Sequence, residues 1–302
     1  MTPQIPNSAD TRLNLSAGLA SVIVAIVLVA LKLWAFSATQ SLSVAASLAD
    51  SALDFMVSLG ALAAIYYAAR PADEDHAFGH TSAEDLAALG QSVFILISGG
   101  VIGWAAVRRL LSDTPVTLMS EGRGMVVMAA SIALTLALVL WQRYVARRTG
   151  SRVVAADSLH YLGDLLPASG VLLSLWASSR FGLPYIDSVV ALGAAVLLVI
   201  GSLRIGKGAW DALMDRSASP ALIARIEAIA KSHPGVHGYH DLRTRQAGST
   251  VFVNLHVELD GNQSLNDAHA ISAGLKHAIR QAYPQCDVII HQDPVRDETP
   301  VP

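Results

Sequence analysis

The stretch SLADSALDFM, residues 47–56, places two aspartates four residues apart in a segment that is otherwise apolar. Between Leu42 and Ala69 these two acids are the only charged residues. Side chains four residues apart lie on one face of a helix, one turn apart. A carboxylate in the bilayer core is costly and usually faces the protein interior, where it serves a function. Asp50 and Asp54 therefore predict a membrane helix with a functional acidic face; the alternative is a pair that only packs two helices together.

The chain as a whole has the composition of a helical membrane protein. Of its 302 residues, 53% are hydrophobic and 15% are charged, whereas soluble domains carry about 25% charged residues. A membrane-spanning helix needs roughly 20 apolar residues. Six segments fit this requirement: 15–36, 42–69, 85–107, 125–141, 153–179 and 186–205. The first has too long an apolar run, and too many spans after it, to be a signal peptide.

The charges between these segments predict the orientation of the chain, because cytoplasmic loops carry an excess of lysine and arginine. With the N-terminus inside, the inner segments hold Arg12, Arg70, Arg143, Arg147, Arg148, Arg152, Lys207 and Arg216. The outer loops then hold Arg108, Arg109, Arg123 and Arg180. We therefore expect both termini in the cytoplasm.

After residue 205 the apolar runs shorten, and charges and histidines return. The pattern predicts the order α-β-β-α-β, a small two-layer α+β domain. Its first helix is capped by Ser217 or Ser219, and its first two strands meet at Ala247-Gly248. We accordingly divide the chain into a cytosolic tail (1–14), a six-helix transmembrane domain (15–205), a cytosolic domain (206–294) and a disordered tail (295–302).

Two classes of site are excluded by composition. Cys286 is the single cysteine, so the chain has no intrachain disulfide and no site of the usual thiolate zinc type. The net charge is only −3, and the sequence has no basic stripe. We therefore expect no nucleic-acid partner.

A second pair with the same spacing lies in the fifth apolar segment, where DSLHYLGDLL contains His160 and Asp164. Spans two and five run in opposite directions, so both pairs fall at similar depth and can meet. Three carboxylates and one imidazole make a tetrahedral set that suits Zn²⁺ or a similar divalent ion. Asp157 lies one turn before His160, and we interpret it as a polar residue near the cytoplasmic end rather than as a ligand.

Two further groups of potential ligands lie outside the apolar segments. In PADEDHAFGH, the residues Asp73, His76 and His80 are spaced so that one turn brings them together, although a solvated acidic loop has the same pattern. The last domain contains a third group: His240, His256, His269, His291 and Asp293. Strand alternation places His256 on the face opposite Val253, Leu255 and Val257. This group predicts one or two ions on the sheet surface, and the alternative is a set of unrelated surface histidines.

Four motifs together resemble the cation diffusion facilitator family, in its bacterial zinc and iron efflux branch. They are SLADSALD, PADEDHAFGH, ADSLHYLGD, and the C-terminal HDLRTRQAG with VIIHQDP, and the resemblance extends over essentially the whole chain. It implies a homodimeric six-helix antiporter in the inner membrane that exchanges a divalent metal for protons. It also implies that the cytosolic domain has a metallochaperone-like, ferredoxin-like fold and dimerises around bound zinc.

The resemblance also assigns the ligands. The family's transport site corresponds to Asp50, Asp54, His160 and Asp164, its loop site to Asp73, His76 and His80, and its cytosolic sites to His240, His256, His269, His291 and Asp293. Close relatives carry a lysine two residues after the second loop histidine, and this lysine pairs with an acid near the end of span six. Here that position is Ser82, so the basic partner of the candidate acid, Asp215, is missing. We therefore expect the dimer to depend more on the cytosolic domains.

A ligand set of this kind predicts transport coupled to protons. Carboxylates and imidazole must lose their protons to bind metal, so protons and metal compete for the same groups. We expect export of Zn²⁺, with Cd²⁺, Fe²⁺, Co²⁺ and Mn²⁺ as other ions that the set accepts, and a sensing role for zinc in the cytosolic domain. The alternatives are a membrane metal sensor or scaffold without transport and an intramembrane hydrolase. The hydrolase lacks support because the sequence has no His-Glu-x-x-His motif and no acid left to act as general base.

Overall fold

Six long helices are followed by a small α+β unit, in the order that the sequence predicts. The computed structural model describes residues 8–39, 42–111, 122–181 and 186–295. The long helices are α1 (Ser8–Thr39), α2 (Leu42–Ala68), α3 (Ser82–Leu110), α4 (Gly122–Thr149), α5 (Arg152–Phe181) and α6 (Ile186–Leu213). The α+β unit contains α7 (Pro220–Ser232), β1 (Gly238–Ala247), β2 (Thr250–Leu259), α8 (Leu265–Ala282) and β3 (Cys286–Pro294).

Most of the long helices have the length and hydropathy of membrane spans. Within the described residues, five helices meet both criteria, over Ala9–Ser37, Asp50–Ala68, Ser82–Arg108, Ala129–Thr149 and Ala191–Leu213. The remaining long helix is α5, which has 30 residues and carries Asp157, His160 and Asp164 in its first half. The chain is therefore a multi-pass helical membrane protein, and its fifth long helix holds a predicted ligand pair.

Several helices extend beyond the apolar segments that predicted them. The helix α1 begins at Ser8, inside the segment expected to be a tail, and α4 continues past Trp141 to Thr149. Hydropathy identifies only the part of a helix that suits lipid, whereas the backbone hydrogen bonds continue into water wherever the side chains permit. The rest of the two predicted tails, residues 1–7 and 296–302, lies outside the described residues.

Small residues set the position of α6 between α3 and α5. A side-chain carbon at Gly99 of α3 would lie 3.2 Å from Leu198 Cβ, and one at Gly103 would lie 3.3 Å from Ala195 Cβ. On the other side, a carbon at Gly163 of α5 would lie 3.1 Å from Leu198 Cδ2. Small residues let membrane helices approach closely. This packing holds α5, and with it His160 and Asp164, against the bundle.

The α+β unit is built on a three-stranded sheet in the order β1-β2-β3. Strands β1 and β2 are antiparallel, whereas β2 and β3 are parallel. Parallel strands need a long crossover, which α8 supplies. Ser219 caps α7 by accepting a hydrogen bond from the Leu222 N–H, in agreement with one of the two predicted caps. The core between helices and sheet contains Ile226, Val253, Leu255, Val257, Leu275, Ile279 and Val288.

The register of this sheet aligns three histidines. His240 of β1 lies opposite His256 of β2, and His256 is aligned with His291 of β3. The neighbours of His256 along the strand, Leu255 and Val257, are buried in the core, while His256 itself is partly exposed. The predicted orientation of His256 is thus confirmed, and the three imidazoles form a row on the face away from the helices.

Candidate metal centres

The first cluster of potential ligands lies inside the helical bundle and joins α2 to α5. Ligand atoms of Asp54, His160 and Asp164 all lie within 4.8 Å of one another, and His160 Nε2 is 3.2 Å from Asp54 Oδ1. Asp54 and His160 are buried, each with 7% of its surface exposed. Among the described residues, Asp164 Oδ2 is buried without a hydrogen-bond partner. A buried carboxylate oxygen without a donor is poised to bind a cation.

The fourth predicted member of this cluster, Asp50, is not part of the tight group. Its side chain is exposed, and its carboxylate interacts electrostatically with Asp54, His160 and Lys32. Lys32 of α1 donates a hydrogen bond to Ser51 Oγ at 2.6 Å. The sequence analysis missed this lysine because it lies on another helix. Its position as a single positive charge within an apolar segment was the one feature of the sequence that could have drawn attention to it.

Asp157 lies near the start of α5, as the sequence suggests, and its side chain is buried in the bundle. It is 2% exposed, and it accepts hydrogen bonds from Gln142 Nε2 at 2.6 Å and Gln91 Nε2 at 3.2 Å. The next helical turn of α5 is held in a similar way, because Tyr161 Oη lies 2.8 Å from Ser58 Oγ. These contacts fix the rotation of α5 and so the direction in which His160 points.

The second cluster lies in the loop between α2 and α3. Asp73 Oδ1 is 3.4 Å from His76 Nδ1, and Asp73 Oδ2 is 3.2 Å from His80 Nε2. Asp73 also accepts a hydrogen bond from the backbone N–H of His76 at 2.7 Å, and this bond lowers the pKa of the carboxyl below its ordinary value. Tyr67 packs its ring edge-on against His80, with 4.6 Å between the ring centroids. The predicted turn therefore brings all three side chains together. The lowered pKa of Asp73 favours its charged form, which is the form that binds a cation.

The third cluster lies on the exposed face of the sheet. Asp293 Oδ2 is 2.9 Å from His256 Nδ1 and 3.3 Å from His240 Nε2. Asp293 Oδ1 is 3.4 Å from His291 Nε2, and the ring of His291 lies 4.5 Å from that of His256. The hydrogen bond with His256 is the main reason that the pKa of Asp293 lies below its ordinary value. Three of the four predicted histidines thus meet around the carboxylate of Asp293, the fifth predicted residue.

Two residues of the cytosolic unit are placed differently from the sequence analysis. His269 is exposed on α8 and does not belong to this cluster. Glu258, which the sequence analysis did not single out, lies 3.2 Å from His240 Nδ1 through Oε1. The signal for Glu258 was its position on the same strand face as His256, two residues further along β2. A carboxylate behind a ligating imidazole orients the ring and increases its basicity.

Asp215, the acid that follows the sixth long helix, has a basic partner that the sequence analysis did not find. Arg245 Nη1 of β1 lies 3.2 Å from Asp215 Oδ1. Asp215 is therefore paired within its own chain, whereas the expected loss of the charged contact between protomers, which follows from Ser82, stays a prediction. The ion pair joins the membrane unit to the cytosolic unit of the same chain.

Comparison with known proteins assigns the chain to a family of transporters. A model of the cation efflux transmembrane domain matches residues 18–214, and a model of the cation efflux protein cytoplasmic domain matches residues 218–295. The chain belongs to the cation efflux, or cation diffusion facilitator, family. The predicted family and fold class are thereby confirmed, and so is the prediction that the protein is a transporter rather than an enzyme.

Similar proteins cover nearly the full chain. The cation-efflux pump FieF of Cronobacter sakazakii is 42% identical over 283 residues, with 94% of this chain and 93% of that protein covered. FieF of Shewanella oneidensis is 44% identical over 282 residues, with 93% and 94% covered. A solved structure, the metal-bound C-terminal domain of the CzcD transporter from Thermotoga maritima, matches 26% of this chain and 92% of its own at 28% identity, with a TM-score of 0.25. The protein is thus an exporter of divalent metal cations across a membrane.

Proposed function

We propose that the chain exports Zn²⁺ from the cytoplasm in exchange for protons, with Asp54, His160 and Asp164 as the transport ligands and Asp50 as the fourth. The observation that supports this most directly is the approach of Asp54 Oδ1 to His160 Nε2, 3.2 Å apart in the interior of the bundle. Three oxygen ligands and one nitrogen suit tetrahedral Zn²⁺, and the same set accepts Cd²⁺ and Fe²⁺.

Proton exchange follows from the chemistry of this ligand set. A metal ion requires the carboxylates and the imidazole to be deprotonated, and protonation from the outer side weakens their hold on the ion. Asp50 is the member of the set that lies at the surface of the helical bundle rather than in its interior. The acidic side therefore receives the metal, and the transporter returns with protons on the same groups.

The other two clusters support roles in capture and regulation. Asp73, His76 and His80 line or adjoin a cleft of about 970 Å³ between the cytoplasmic ends of the helices and the sheet. We assign to them a second divalent-metal site, and to His240, His256, His291 and Asp293 a zinc site that stabilises a cytosolic dimer. In this proposal both termini lie in the cytoplasm and the helical bundle lies in the inner membrane, in keeping with the excess of lysine and arginine in the inner segments.

Zinc flux into sealed proteoliposomes tests this proposal. With a zinc-sensitive dye inside and an acidic interior, the wild-type protein is expected to take up Zn²⁺ in proportion to the pH gradient. Asp54→Ala is expected to reduce uptake to the background of empty vesicles, because it removes one of the buried ligands. Asp260→Ala is the matched control, since this aspartate is exposed beyond the end of β2, and it is expected to transport normally.

Three other results would change the assignment. Normal uptake by Asp54→Ala would exclude Asp54 as a required ligand. Zinc uptake that does not respond to the pH gradient would exclude proton exchange. Gradient-driven uptake of Fe²⁺ or Mn²⁺ without uptake of Zn²⁺ would keep the mechanism and replace the cargo.

A further inference from the structure

Asp85 occupies a junction between three parts of the protein. This side chain of α3 is 1% exposed. Its Oδ1 accepts a hydrogen bond from Arg152 Nη1, at the start of α5, at 2.6 Å. Its Oδ2 accepts a hydrogen bond from the backbone N–H of Gly248, in the turn between β1 and β2, at 2.7 Å. One buried carboxylate thus holds the cytosolic hairpin and the transport-site helix together.

The backbone of the hairpin turn is adapted to this contact. Gly248 has a φ of +54°, a backbone conformation that residues other than glycine adopt only at a cost in free energy. A Cβ at Gly248 would lie 2.6 Å from the backbone oxygen of Thr81, the residue next to His80. The turn can therefore approach the membrane unit this closely only because residue 248 is glycine.

Aromatic and cationic side chains reinforce the same junction. Phe78, in the loop that carries His76 and His80, packs edge-on against Phe252 of β2, with 5.5 Å between the ring centroids. The guanidinium of Arg245 lies 4.3 Å from the centre of the Phe252 ring and 5.0 Å from that of Phe78. These contacts make the hairpin turn and the end of the membrane unit move together.

We propose that Asp85 is a positioning residue that transmits metal binding at the cytosolic histidine row to the transport site. The inference rests on the proposed function, in which both places bind metal. Metal between His240 and His256 draws β1 and β2 together at one end of the hairpin. The other end of the hairpin is the turn that Gly248 anchors to Asp85. Through Arg152, Asp85 then sets the position of α5, which carries His160 eight residues, or about 12 Å, further along its axis.

A double-mutant cycle in proteoliposomes tests this link. Four full-length proteins are compared: wild type, His256→Ala, Asp85→Ala and the double variant. The readout is the Zn²⁺ concentration that gives half-maximal uptake under a fixed pH gradient. In the wild-type background, His256→Ala is expected to shift this concentration about tenfold, within the usual range of coupling between sites. In the Asp85→Ala background, the same change is expected to shift it less than about twofold.

The controls separate a positioning role from a loss of structure. Asp260→Ala replaces an exposed aspartate and is expected to preserve the full effect of His256→Ala. Where Asp85→Ala does not yield folded protein, Gly248→Ala supplies the same test, since it pushes the turn away from Thr81 without removing a charge or a ligand. Zinc binding by the histidine row, measured on the protein in detergent, is expected to stay within about twofold of wild type in both variants.

Each other outcome overturns the proposal. An equal effect of His256→Ala in both backgrounds would show that Asp85 transmits nothing, and so would an absence of any effect of His256→Ala in wild type. The proposed function itself is tested separately, by comparing zinc uptake of the wild type with that of Asp54→Ala. Gradient-driven flux that depends on Asp54 therefore stands even where the cycle shows no coupling.

Discussion

At the scale of single residues, the positive charge of Lys32 lies beside the proposed transport site. The ammonium group donates to Ser51 Oγ at 2.6 Å, and its charge acts on both Asp50 and Asp164. A fixed cation near the site lowers the affinity of these carboxylates for a second cation, and it favours release of the metal. In an exporter, weak binding on the releasing side is as necessary as binding on the loading side.

Lys32→Met is therefore expected to tighten zinc binding and to slow turnover. Each relief of about 1.4 kcal/mol of repulsion corresponds to a tenfold gain in affinity, and we expect an increase of about that size. The measurement is zinc titration of the protein in detergent, followed by maximal uptake in proteoliposomes. Lys207→Met is the matched control, because Lys207 pairs with Asp211 at the exposed end of α6, and it is expected to change neither quantity.

Much of the candidate site could be predicted from spacing, and the rest could not. Helical periodicity puts Asp50 near Asp54 and His160 near Asp164, and opposite chain directions bring the two pairs to one depth. Lys32 escaped prediction because its partner lies on another helix, and Glu258 was overlooked although it shares a strand face with His256. Contacts between elements depend on how each helix rotates about its axis, and no local sequence pattern records that rotation.

At the scale of elements, Asp157 joins α5 to two neighbouring helices. Its carboxylate accepts from Gln91 of α3 and Gln142 of α4, in the interior of the bundle. Both amide oxygens of these glutamines are buried without a hydrogen-bond partner among the described residues. Asp157 is the acceptor that the structure shows for both amide NH₂ groups.

Asp157→Ala is expected to destabilise the bundle, since each buried donor left unpaired costs about 1–3 kcal/mol. Thermal unfolding in detergent, followed by the loss of the monodisperse peak in size-exclusion chromatography, measures the effect as a lower midpoint. Asp75→Ala, an exposed loop residue, is expected to leave the midpoint unchanged. A midpoint equal to wild type in Asp157→Ala would mean that water or a shifted helix replaces the lost acceptor.

The helices and strands were predictable because long apolar runs indicate segments that contact lipid, and alternating apolar residues indicate strands with one face in a core. Segments of about 20 apolar residues predicted the long helices, and burial alternates along β2 from Val253 to Leu259, whereas Phe252 is also buried. The helix ends were less predictable, as α1 and α4 show. Their polar extensions lie outside the part of each helix that hydropathy can detect.

At the scale of the whole molecule, metal in the histidine row is expected to raise the stability of the cytosolic unit. A ligand at 100 times its dissociation constant stabilises a protein that binds it only when folded by about 2.7 kcal/mol. Zinc is thus expected to raise the midpoint of thermal unfolding of the full chain, increasingly so at higher concentration. His256→Ala is expected to lose most of this increase.

His269→Ala tests whether His269, which was predicted as a ligand, belongs to the same metal site as the histidines around Asp293. Because His269 is exposed on α8, outside the cluster around Asp293, this variant is expected to keep the zinc-dependent increase. His277→Ala, which changes another exposed histidine of the same helix, provides the matched control. A loss in His269→Ala but not in His277→Ala would place His269 in a site completed by a second subunit.

The assembly of the two units was the part that the sequence predicted least. The serine at position 82 predicted the loss of a charged contact between protomers, and it gave no indication that Arg245 of the same chain pairs with Asp215 across the junction. Position 245 is separated from position 215 by a helix and most of a strand, so the ion pair leaves no trace in local spacing. Junction contacts of this kind become visible only once both units are folded.

The alignment of His240, His256 and His291 also indicates at which stage of folding this cluster forms. The first two meet as soon as the hairpin closes, which takes microseconds in small hairpins. The third arrives only after α8 has crossed over and β3 has paired in parallel, a slow and non-local step. A shift of one residue in either pairing would turn a histidine to the opposite face. A fully assembled row of three histidines is therefore a signature of a completed sheet.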